Sequence, residues 1–226
     1  MKHPSSPDLT TPPRSASSGL DARVVDAWVT WLGALATDAE AALAAAMAYK
    51  ELDATARNLW LSALEHDAER ANVPRIAVYA PLLAVESDPE RRARITEAIG
   101  PADVAATPRV AASALCGVTG AGLRVASIVT PLYLDFVQVL ACGYRPAGGF
   151  EWVKHDPIVD RRNAPRPGDT LGEAVMESTP LKPLVDQLAH AVLAHQRSGR
   201  VIPEALKVFA DLFGPGAGGT LPPPAL

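Results

Sequence analysis

The longest apolar stretch of the chain, Leu123 to Cys142, sets the tightest limit on how it folds, because Arg124, Pro131, Asp135 and Gln138 interrupt it. Each charge would be costly in a lipid-facing span, so the stretch predicts a buried element and excludes a membrane span. Val125, Ile128, Val129, Leu132, Phe136 and Leu140 recur at helical spacing, with Thr130 and Pro131 restarting the helix after a kink. A central buried helix is the expectation. Asp135, Gln138 and Cys142 fall on a second stripe that faces a cavity or partner, or is satisfied by neighbouring backbone.

The regions on either side point to helices as well. Residues 1–19 are rich in Ser, Pro and Thr with almost nothing to bury, and read as a disordered arm. From Leu20, apolar residues at Val24, Trp28, Trp31 and Leu35 mark an amphipathic helix, extended by an alanine-rich run to about Met47. Asp53 is the expected N-cap of a second helix, Pro74 opens a third that contains Pro81, and Ser87 and Pro89 start a fourth that Gly100 terminates. Trp28, Trp31 and Trp60 are placed inward. The segment LLAVESDPERRARITEAIG at 82–100, with Asp88-Pro89, Arg92 and Ala98-Ile99-Gly100, resembles the inter-helix turn and second helix of a HEAT-type repeat. No second copy follows at the roughly 40-residue period that an array requires.

Beyond Pro101, Gly117, Gly120 and Gly122 suggest a flexible connection, since their spacing fits neither a dinucleotide fingerprint nor a Walker loop. Gly143 is expected to end the central helix, and Gly148-Gly149 to form a turn before a short extended segment at Phe150, Trp152 and Ile158. A C-terminal helical hairpin follows, with Leu181, Leu184, Leu188 and Val192 on its first helix and Leu206, Phe209 and Leu212 on its second. The expected fold class is therefore mainly α: an all-alpha helical bundle with a short irregular or extended insert and a C-terminal helical hairpin. One domain is assigned to 20–213, with a candidate subdivision near 101–108, and 214–226 reads as a flexible Gly/Pro-rich tail.

The net charge of −4 supplies no field to hold a nucleic-acid backbone, so nucleic acid is not an expected partner. Cys116 and Cys142 lie in apolar runs outside any C-x-x-C pattern, which reads as buried free thiols in a reducing, cytoplasmic setting. The N-terminus has no continuous apolar segment of the secretory type. No catalytic or metal-binding pattern emerges. Asp186 and His190 are placed at i and i+4, but neither has further ligands in sequence, and no metal or cofactor is expected.

The densest mixture of aromatic, cationic, imidazole and carboxylate groups spans 142–162. Asp135, Tyr144, Arg145, Trp152, Lys154, His155 and Asp156 are the candidate binding residues. Aromatic rings beside arginine often anchor interfaces, so the first reading is a cytoplasmic interaction or adaptor protein with a protein partner. The alternative is a small-molecule-binding or hydrolytic enzyme with a pocket near Asp135, Arg145, His155 and Asp156.

Overall fold

A computed structural model describes residues 22–106, 111–209 and 212. The arm at 1–19, the tail at 214–226 and residues 107–110 of the candidate subdivision lie outside the described residues. Helix α1 (Ala22–Ala34) stops before Asp38, which caps α2 (Ala39–Glu51) by accepting the N–H groups of Glu40 at 2.9 Å and Ala41 at 3.2 Å. The single helix expected through Met47 is thus two, because a carboxylate on orphan amides starts a new helix more effectively than alanine propensity continues the old one. Asp53 caps α3 (Ala54–Asp67) as the sequence predicts, accepting from Ala56 at 2.8 Å. Pro74 precedes α4 (Arg75–Leu83), whose residues Ile76 through Leu83 are all buried. In α5 (Pro89–Ala106), Gly100 has φ of 76°, so it ends one helical segment and Pro101 opens the next.

These helices enclose a core of Leu32, Leu35, Tyr49, Leu61, Leu64, Ile76, Leu82 and Ile95. Trp28, Trp31 and Trp60 pack against it while only partly buried, with ring centroids 5.3 to 6.1 Å apart. A buried carboxylate, Glu86, ties the turn after α4 to the rest. It accepts from Tyr49 Oη at 2.8 Å, Arg91 Nε at 2.7 Å, Arg57 Nη1 at 3.3 Å, and the N–H groups of Ser87 and Asp88 at 2.8 and 2.9 Å. Burial alone would raise its pKa, but the donors from Arg91, Asp88 and Tyr49 outweigh that and hold it at about 2. Because every donor is internal, the cluster braces the fold and offers no open position to a ligand.

The second half overturns the mainly-α, all-alpha bundle expectation. Strands β1 (Ser113–Val118), β2 (Arg124–Pro131), β3 (Phe136–Arg145) and β4 (Gly149–Asp160) form an antiparallel meander. Short strands β5 (Thr170–Leu171), β6 (Ala174–Val175) and β7 (Glu177–Thr179) follow, and β7 pairs with β1 to give a sheet ordered β4-β3-β2-β1-β7. The proposed central helix is β2 and β3, joined by a tight turn in which Leu134 has φ of 50°. Both faces of these strands are covered, so apolar residues occupy nearly every position and the two-residue period disappears. Gly143 lies inside β3 instead of ending a helix, and Gly120 and Gly122 turn the chain between β1 and β2. Of the C-terminal hairpin, α6 (Leu181–Arg197) is a full helix, whereas α7 (Glu204–Lys207) is a single turn.

Leu184, Leu188 and Ala191 of α6 cover one face of the sheet against Ala126, Ile128, Leu140, Cys142 and Tyr144. The segment 161–176 crosses the other face, placing Ala164 over Val129, Val137 and Val139, and Met176 over Leu115 and Val125. Tyr133, Phe136 and Ile158, at the end of the sheet nearest the helices, enter the helical core itself.

Candidate functional site

The candidate residues do not converge. Asp135 lies exposed in the β2–β3 turn and Arg145 exposed at the far end of β3, so a rise of about 3.3 Å per residue separates them by roughly 30 Å. Tyr144 is 0% exposed on the α6 face, where its hydroxyl and Arg124 Nη1 meet Gln187 Oε1 at 3.0 and 2.7 Å. Trp152 lies on the opposite face, directly over Gly143, where an added Cβ would stand 2.3 Å from the indole nitrogen. Lys154 and Asp156 pair with each other at 2.9 Å. His155 faces the segment just after α7, its ring 5.1 Å from that of Phe209, and its Nε2 is buried with no hydrogen-bond partner among the described residues. Burial pushes its pKa below 6.5, with Asp156 acting in the opposite sense. Across the ladder His155 stands opposite Leu140, well along the strand from Asp135, so the structure forms no pocket shared by those two groups.

What the 142–162 segment does build is one wall of an open groove of about 700 Å³. The β3–β4 turn contributes Pro146 and Ala147, and the C-terminal half of α6 contributes His190, Leu193, Ala194 and Arg197. Three interactions clamp the turn to the helix. Phe150 N–H donates to His195 Nδ1 at 3.2 Å, which fixes the tautomer so that Nε2–H donates to Val201 C=O at 3.0 Å. Arg200 donates to Phe150 C=O at 2.9 Å and also to Gly148 C=O. Gly149, at φ of 75°, lets the turn approach so closely that a Cβ there would stand 2.7 Å from His195 Cα.

On the groove floor Leu193 is 47% exposed, although the other large apolar residues of α6 lie buried or half-buried. Arg197 and His190 have no ion-pair partner among the described residues, whereas Asp186, the expected partner of His190, pairs with Lys182 at 3.1 Å. Arg145 is neutralised by Glu151 at 2.6 Å. Sequence reading passed over Leu193 and Arg197. The available signal was Leu193 itself, an apolar residue out of phase with the Leu184–Leu188–Val192 stripe.

Among the described residues no group of three or more His, Cys, Asp or Glu is arranged to hold a metal ion, and no helix is long and apolar enough to cross a membrane. Compared with protein-family models, curated proteins and solved structures, the chain matches none.

Proposed function

We propose that this chain is a cytoplasmic protein-interaction module that docks an acidic, apolar-anchored segment of a protein partner in the groove between the β3–β4 turn and α6. The observation that carries this reading is Leu193, an exposed apolar anchor flanked by Pro146 and Ala147 and rimmed by the unpaired Arg197 and His190. An open groove with an apolar floor and the Arg197 guanidinium on its rim matches a peptide segment better than a small molecule, which needs most of its surface enclosed.

A photo-cross-linking residue placed at position 193 in the native host tests the proposal, with position 59 as control because Leu59 is also exposed but lies on α3. Capture of one discrete protein from position 193, reduced by Arg197→Glu and absent at position 59, is the expected outcome. Equal capture from both positions, or indifference to Arg197→Glu, would remove the groove as the recognition surface.

A further inference from the structure

We propose that the chain's own N-terminal segment docks through Pro12 and Pro13 on the aromatic surface formed by Trp28, Trp31 and Trp60, at a site separate from the α6 groove. Three of the four tryptophans meet here, and none of the three is fully buried. Trp28 and Trp31 stack at 5.3 Å, and Trp60 of α3 stands edge-on to both at 5.8 and 6.1 Å. Trp28 Nε1 donates to Asp67 Oδ2 at 3.1 Å. The indole N–H groups of Trp31 and Trp60 have no acceptor among the described residues, and both nitrogens reach the surface. A flat apolar surface with two open donors fits an occupant that brings both apolar rings and carbonyl acceptors.

Val24, Trp28 and Trp31 form one stripe of α1, which Leu35 continues. Cover along this stripe runs out toward its start: Leu35 is 1% exposed, the two tryptophans are half-buried and Val24 is 55% exposed. The uncovered end is the one that residues 1–21 adjoin. Those residues lie outside the described ones and include Pro4, Pro7, Pro12 and Pro13. A proline-rich stretch makes no internal hydrogen bonds, so its carbonyls are free to accept from indole N–H groups while its rings lie against aromatic faces. Reach is sufficient. Pro13 precedes Ala22 by nine residues, about 28 Å in polyproline form, whereas Trp31 follows Ala22 by nine residues, about 14 Å along α1. Gly19 stands where the chain has to reverse. The segment has too little to bury to fold alone, and the tryptophan surface supplies what it lacks. Its covalent attachment gives it an effective concentration above that of a free partner segment, which makes it the occupant.

The test places a photo-cross-linking residue at position 11, beside the two prolines, in the full chain, both purified and in the native host. The expected product is an intramolecular cross-link to α1 or α3 peptides that carry Trp28, Trp31 or Trp60. The double variant Pro12→Ser/Pro13→Ser abolishes it, and Arg197→Glu leaves it intact, which separates this surface from the α6 groove. In proton–nitrogen NMR spectra the same double variant is expected to shift the indole N–H signals of Trp31 and Trp60 and to leave that of Trp152, on the sheet, in place. Cross-links that join two copies, run to another protein or to α6, or persist in the double variant would each overturn the proposal, as would Trp31 and Trp60 signals that do not move.

Discussion

Glu86, through its donors, and His155, through its burial, make stability depend on pH in different windows. His155 is disfavoured as a cation by burial, so its stabilising contribution is present above its ordinary value of 6.5 and is lost as pH falls below it. Glu86 is held ionised down to about 2, so its contribution is present above 4.5 and is lost between 4.5 and that lower value. Urea melts across this range are expected to show two successive losses. His155→Leu, which leaves an apolar side chain against Phe209, should remove the first loss and spare the second; an unchanged profile would contradict the buried placement. Glu86→Ala strands Arg57 and Arg91 without their carboxylate and is expected to cost about 3 to 5 kcal/mol. On the other sheet face, Gly143→Ala drives a methyl into the Trp152 indole and should cost about 1 to 3 kcal/mol, with a shift in tryptophan emission. Glu86 did not stand out in the sequence and Gly143 stood out only as a helix terminator, because what matters at both is how many groups approach, and composition does not encode approach.

Among the elements, helix starts were legible at several positions that a side chain marks. Asp53 and Pro74 stand where the sequence places them, since capping and proline constraints are local. Asp38 was equally local but hidden by the alanine run that follows it, and Asp38→Ala is expected to lower stability by about 1 kcal/mol in thermal melts. Strands β2 and β3 were misread for a different reason. In β2 Val125 and Val129 face segment 161–176 while Ala126 and Ile128 face α6, so both phases are apolar and a helical spacing fits by coincidence. The β-branched content of RVASIVTP was the signal that favoured a strand. Register also determines the fate of the thiols. Cys116 and Cys142 both stand opposite Ala126 from the two neighbouring strands, hence about 9 to 10 Å apart. That exceeds the roughly 7 Å limit for a disulfide, so mild oxidant should produce no intramolecular bridge by mass spectrometry.

At the scale of the whole molecule, the helical half and the sheet share a core through Tyr133, Phe136 and Ile158, with the rings of the first two in edge contact at 5.4 Å. Helical ellipticity and the near-ultraviolet signal are therefore expected to melt together, and Phe136→Ala, at about 3 to 5 kcal/mol, should separate them. Coincident melting of that variant would show that coupling runs elsewhere. The candidate residues at 142–162 were legible as a chemically dense stretch, but strand geometry distributes them over two faces and both ends of β3, which a linear reading cannot display. The unequal edges of the sheet carry one more consequence. Polymerisation through backbone pairing needs two open edges on every subunit, and on the β4 side His195 and Arg200 occupy the main-chain groups of Phe150. Pairing along that edge has to start beyond Phe150, and there Pro157 removes a donor from the row, so a regular edge-on filament is disfavoured even at high concentration.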